Sequence, residues 1–259
     1  MAASATSQVP EKCVHDNFKQ SELKRRIQVQ CDFIKADTCS GFSAVSHSDK
    51  AIILSFRGSD MHEILLEVVD AIFERPVSAF DGRGKVLYYF LTAFSEVWEN
   101  GMKDDFISLN NTYPDYELWI TGHSLGGAMA SIAATTIATT NLFDAKKIKL
   151  VTFGQPRTGD ESYAALVDSL IPYAIRVVHR DDIVPLIPPG FLYGYRHHKS
   201  EVWYDNDMSI NDTFQECDED ESNQCRDGKF AFDIKDHDKY FDVGVGMAHD
   251  GCKGWNPYV

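Results

Sequence analysis

An α/β fold, built on a mostly parallel sheet with helices on both faces, is the class this sequence predicts. Three observations carry the prediction. Short apolar runs recur along the 259 residues, helical patterns lie between them, and a glycine-framed serine stands where one such run gives way to an alanine-rich stretch. Alternation of strand and helix favours parallel pairing, because a crossover helix returns the chain to the same end of the sheet.

Four runs read as buried strands: "KAIILSF" (50–56), "YELWIT" (116–121), "KIKLVTF" (147–153) and "YAIRVVH" (173–179). Each is rich in β-branched or aromatic residues, bounded by turn formers, and too short for a helix. Between them, residues 84–110 place apolar side chains three and four apart, which predicts one long amphipathic helix. Residues 126–140 ("GGAMASIAATTIATT") predict a closely packed alanine-rich helix, and 159–171 another. "RHHKSEVWY" (196–204) reads as a further strand, which would turn His197 and His198 to opposite faces in structural roles. No linker, repeat or composition shift divides the chain, so residues 1–259 are expected to form a single domain.

Hydrophobic residues make up 44% of the chain, enough for a full core, and the net charge of −14 argues against nucleic acid and against tight binding to anionic membranes. No run of about 18 apolar residues could span a bilayer. The first residues, "MAASATSQVPEKC", lack the charged and apolar regions of a signal peptide. Six cysteines without a C-x-x-C, together with glycosylation patterns at Asn110 (N-N-T) and Asn211 (N-D-T), nevertheless predict a secreted protein in mature form, its signal removed. Six cysteines allow 15 connectivities. The sequence alone does not choose among them; the expectation is Cys31–Cys39, Cys217–Cys225 and Cys13–Cys252, the last tying the two ends of the chain together.

"WITGHSLGGAMAS" (119–131) is strand, sharp turn and helix, with G-H-S-L-G at the turn. In such an elbow the serine takes strained backbone angles, and its neighbours must be small so that strand and helix can approach. Ser124 Oγ would then stand at the strand's end beside a helix N-terminus, where the N–H of Leu125 can bind an oxyanion. A serine hydroxyl needs a base, and the base an orienting acid, in the chain order Ser, Asp or Glu, His. "AIRVVHRDDIVPLIPP" offers Asp181 and Asp182 just past a strand. Besides His179, His197 and His198, the downstream histidines are His237 in "DIKDHDKYF" and His249 in "GMAHDGC"; the residues alone do not choose between these two.

In order and spacing, "AIILSFRGSD", "WITGHSLGGAMA", "LVTFGQPRTGD", "VVHRDDIVPLIPP" and "DHDKYF" resemble the blocks of the fungal-type triacylglycerol lipase family (class 3 lipases), in particular its nematode-like, cysteine-rich secreted members. The resemblance covers the chain from about Cys31 to Phe241. It implies an α/β-hydrolase fold, hydrolysis of carboxylic esters of acylglycerols or other lipids, and no cofactor. It also selects Asp182, immediately before I-V-P, as acid, and His237, before x-x-Y-F, as base. "F-R-G-S" puts Ser59 at the family's oxyanion-hole position, with Leu125 supplying the second N–H. Family members often link their terminal segments by a disulfide, in agreement with Cys13–Cys252. Phospholipase A1-like and feruloyl or short-chain esterases share this triad with a different pocket, and a catalytically silent binding module could share the fold.

Residues 61–74, "MHEILLEVVDAIFE", interleave Ile64, Leu65, Val68, Val69 and Ile72 with acidic side chains, an amphipathic pattern where fungal members carry the lid over the site. The resemblance therefore implies transient contact with a lipid surface. In the acidic loop, Asp205, Asp207, Ser209, Asn211, Thr213 and Glu216 are spaced like calcium ligands. Ile210 occupies the position where such a loop needs glycine, so the expectation is a solvated loop without metal. A monomer is expected, because the sequence carries no oligomerisation motif.

Overall fold

A computed structural model describes residues 1–7, 9–30, 38–58, 75–209, 211–241, 243–244 and 252. Its strands are β1 (Ser21–Gln30), β2 (Thr38–Ser46), β3 (Ala51–Phe56), β4 (Val77–Ala79), β5 (Gly84–Val86), β6 (Glu117–His123), β7 (Ile148–Phe153), β8 (Gly159–Asp160), β9 (Tyr173–His179), β10 (Tyr195–Arg196), β11 (Glu201–Tyr204), β12 (Gln215–Cys217), β13 (Lys239–Tyr240) and β14 (Val243–Gly244). The main sheet runs β1-β2-β3-β6-β7-β9-β11-β12. From β3 through β6, β7 and β9 to β11 the strands are parallel, while β1 and β2 at one edge and β12 at the other are antiparallel. This is the predicted α/β-hydrolase architecture: a mostly parallel central sheet flanked by helices.

The two faces of β3 show how the sheet sorts its side chains. Ile52, Leu54 and Phe56 enter the large core with the helices Tyr88–Val97 and Leu125–Thr139, whereas Ala51 and Ile53 pack on the opposite face with Val14 of the helix Pro10–Asn17. All six residues of β3 are buried, so the run is continuously apolar, as a strand covered on both faces must be. Farther along the second face, Met208 and Tyr240 bring later segments of the chain down onto Val151, Phe153, Ile175 and Val177. The N-terminal helix is tied there by Cys13–Cys252, a bridge spanning 239 positions. In chain-entropy terms a closure of that length is worth roughly 5 kcal/mol. Cys217–Cys225 also forms, and Cys39 is disulfide-bonded; its expected partner Cys31 lies outside the described residues.

The four predicted strands stand as β3, β6, β7 and β9, and the helices expected over 126–140 and 159–171 as Leu125–Thr139 and Glu161–Leu170. Two predictions fail. Residues 84–110 are not one helix: Gly84–Val86 is a strand paired with β4 and β8, Tyr88–Val97 is helical, and a π-turn at Trp98–Met102 separates it from the helix Lys103–Thr112. Asn100 and Gly101 leave helical angles there, which apolar spacing does not register. Residues 196–204 are not one strand either. Tyr195–Arg196 pairs with β8 in a small four-stranded sheet and Glu201–Tyr204 with β9 in the main one, so the chain changes sheets between them. His197 and His198, in that crossing, are both buried rather than divided between two faces. No helix among the described residues is long and apolar enough to cross a membrane.

Candidate active site

The site assembles where the parallel strands end. β6 delivers His123, and the chain then turns at Ser124 into the helix Leu125–Thr139. Ser124 has φ 59° and ψ −129°, a strained region for a residue with a side chain. Strand and helix are so close that a Cβ on Gly122 would lie 2.1 Å from Gly126 O, and one on Gly126 only 2.3 Å from Phe56 O. The glycines of G-H-S-L-G are therefore required by contact. The strain is held by the Ser124 N–H donating to Phe153 O (2.9 Å) and by Gly127 N–H donating to Ser124 O (2.8 Å). Leu125 is the first helical residue, and N–H groups in a first turn have no partner within the helix.

The end of β3 reaches the same place. A Cβ on Gly58 would stand 3.1 Å from Ser124 Cβ and 2.7 Å from His123 O, so the chain leaving F-R-G passes directly beside the elbow. Ser59 itself, like residues 61–74 and His249, lies outside the described residues.

Asp182 and His237, 55 residues apart in sequence, meet in the interior. His237 Nδ1 donates to Asp182 Oδ2 at 2.8 Å, and both side chains are fully buried. That bond fixes the imidazole's tautomer and leaves Nε2 as the acceptor; Nε2 is buried without a hydrogen-bond partner among the described residues. Asp182 Oδ2 also accepts the Tyr240 hydroxyl (2.6 Å), and Oδ1 accepts the Val184 N–H (2.9 Å). Burial pushes the Asp182 carboxyl up, but the His237 ring and these donors outweigh it and hold the group below the usual range. Burial and the neighbouring Asp182 push the Tyr240 phenol well above its ordinary value. Asp181 is not part of this pair; its N–H donates to Asp236 Oδ2 at 3.1 Å.

Three further residues build the site although their sequence context gave no reason to single them out. His123 Nε2 donates to His237 O (2.8 Å), with the two rings 4.4 Å apart, so the elbow is stitched to the loop bearing His237. Burial, then the His237 ring, lower the His123 pKa to about 3, which keeps it a neutral donor. Tyr240 follows His237 by three residues, past the end of the 3₁₀ turn Ile234–Asp238 and in β13; its place in the same "DHDKYF" block as the base is the signal that could have disclosed it. Gly154, just past β7, has φ +54°, and a Cβ there would lie 2.7 Å from His237 Cε1, 2.8 Å from Nδ1 and 2.9 Å from Asp182 Oδ2. Gly154→Ala is expected to push the imidazole aside and lower kcat about 100-fold, the size of effect a displacement near 1 Å produces. Initial rates on a soluble ester, alongside a thermal melt, would check it; unchanged kcat would contradict this packing.

The other predicted positions lie elsewhere. His197 Nε2 meets Pro185 O at 2.6 Å, and burial, with Arg176 and Arg157 nearby, lowers its pKa well below normal, so it serves the scaffold. Asn110 is half-buried in the last turn of Lys103–Thr112, and Asn211 is exposed. Among the described residues no three His, Cys, Asp or Glu side chains converge as a metal-ligand set.

A buried Asp–His pair beside a strained elbow serine, on this sheet, is the arrangement of a serine hydrolase. Residues 53–192 match the profile of the Lipase (class 3) family. A Caenorhabditis elegans lipase is 33% identical over 97% of this chain and 80% of its own length. A Rhizomucor miehei lipase is 36% identical over 78% of this chain, which spans only 54% of that relative. Among solved structures, a triacylglycerol lipase whose catalytic centre is formed by a serine protease triad superposes with a TM-score of 0.81 at 28% identity, covering 95% of this chain and 92% of that one. The chain belongs to the class 3 lipase family.

Proposed function

We propose that this chain hydrolyses acylglycerol esters through an acyl-enzyme on Ser124. The observation that carries the reading is the fully buried Asp182–His237 pair, its outer nitrogen Nε2 without a partner among the described residues and its loop joined to the elbow through His123. In this mechanism Ser124 Oγ bonds to the ester carbonyl carbon as its proton passes to His237 Nε2. Asp182 stabilises the imidazolium that results. The negative oxygen of the tetrahedral intermediate is held by N–H groups of Leu125 and Ser59, at the start of a helix whose dipole favours negative charge. As the intermediate collapses, the C–O bond to the alcohol breaks and His237 returns its proton to the departing oxygen. Water, deprotonated by the same nitrogen, then releases the fatty acid and regenerates Ser124.

Extracellular residence is supported by the disulfides, which persist in oxidising compartments. Residues 61–74 as a lid, residues 1–259 as one domain, and carbohydrate at Asn110 and Asn211 rest on the sequence pattern. The test of function is the initial rate of butyrate release from tributyrin, followed through its solubility limit. Turnover is expected, with a rise at the appearance of emulsion if residues 61–74 open at an interface. Smooth saturation below that limit would give an esterase with an open site. No release on either side would overturn the acylglycerol reading.

A further inference from the structure

Arg226 stands immediately after Cys225, and its side chain is fully buried. The guanidinium spends its donors on main-chain carbonyls. Nε donates to Asp182 O (2.9 Å), Nη2 to Asp181 O (3.0 Å) and Ala231 O (2.7 Å), and Nη1 to Lys229 O (3.3 Å). The first two carbonyls belong to the turn after β9 that carries the acid. The other two belong to the segment entering the 3₁₀ turn that carries His237, where Asp233 N–H also donates to Asp181 O at 2.8 Å.

Arg226 is itself anchored. Its N–H donates to Glu201 Oε1 (2.9 Å), and Glu201 pairs with buried Arg176 at 3.2 Å. The preceding residue is bridged to Cys217 on β12, at the edge of the main sheet. The ring of Phe232 lies 5.5 Å from the guanidinium carbon. A fixed planar fork thus joins the acid's turn to the base's loop and ties both to the sheet.

We propose that Arg226 is a positioning residue for hydrolysis, setting the Asp182–His237 geometry from behind. The proposal rests on the ester-hydrolase reading above. Burial works against the guanidinium charge, whereas the carboxylates of Asp181, Asp182, Glu201 and Asp227 favour it. Lysine could keep the charge, but three donors radiating from one atom cannot span four carbonyls in two segments.

The experiment is a double-mutant cycle on p-nitrophenyl butyrate, with Arg226→Lys and Arg226→Met made in the wild type and in Asp182→Asn. Arg226→Lys is expected to lower kcat about 10-fold and Arg226→Met about 100-fold, with KM held within about twofold. In the Asp182→Asn background each change should cost less than about threefold, because the geometry that Arg226 protects no longer matters there. Equal losses in both backgrounds, a loss confined to KM, or wild-type kcat in a folded Arg226→Met would overturn the proposal. If Arg226→Met does not fold, Arg226→Lys decides by the same criteria. Failure of the ester-hydrolase reading looks different: wild-type protein would be inactive, or Ser124→Ala would remain active, whatever stands at 226.

Discussion

Ser124→Ala is expected to lower kcat on tributyrin by about 10⁶-fold while leaving the melting temperature within a degree or two of wild type. The activity figure follows from the unit behaviour of a nucleophile and its base: without the hydroxyl there is no acyl-enzyme, and only binding and the oxyanion donors remain. The stability expectation follows from contacts. Ser124 makes no side-chain capping bond to the helix it precedes, and alanine has the same Cβ at the same strained angles. Removing Oγ thus strands no buried partner, and such a change is nearly neutral. Loss of labelling by a fluorophosphonate should accompany the loss of turnover. A folded Ser124→Ala protein hydrolysing tributyrin near the wild-type rate would remove Ser124 from the mechanism.

Asp182→Asn should cost about 10⁴ in kcat at neutral pH with KM little changed. The amide cannot stabilise an imidazolium, and it permits the tautomer in which Nε2 carries the proton and cannot accept one from Ser124. The variant should also be less stable, because the Tyr240 hydroxyl, His237 Nδ1 and Val184 N–H all converge on this carboxylate. The sign of the pH dependence follows from its lowered pKa. Above the unfolded value of about 3.9 the carboxylate is ionised in both states, and its contribution is fully present. As pH falls below that value the unfolded chain takes up a proton first, and the contribution disappears as pH passes through the native value. Urea unfolding at pH 7, 5 and 3 should show a stability gap between wild type and Asp182→Asn that is constant from 7 to 5 and narrower at 3. A gap that widens at pH 3 would contradict the bonding described here.

Other residues divide according to how far their partners lie along the chain. The elbow was legible because its causes are local. Gly122, Ser124 and Gly126 stand within five residues, and Gly122 must be small because Gly126 lies against it within the same turn; only the limit on Gly126 comes from afar, from Phe56 on β3. The strands were legible for a similar reason, since a run buried on both faces must be apolar throughout. Residues 84–110 misled because Gly84–Val86 is a strand only through its partners β4 and β8, the latter 75 residues away at Asp160, whose carboxylate accepts the Lys85 N–H. His197 and His198 misled because the chain changes sheets between β10 and β11.

The sequence by itself determined the alternation of strands and helices and the place of the serine. Hydrophobic period and turn chemistry, which act over a few residues, carry that much; the choice of one aspartate and one histidine came only from resemblance to the family's motifs. Only the tertiary structure decided how those residues are held. Gly154 has to lack a side chain because His237 arrives from 83 positions later, and Tyr240, His123 and Arg226 matter because they close on Asp182 or His237 from separate segments. Hydrogen bonds and steric limits of that kind act over about 3 Å between groups whose separation along the chain carries no local signature.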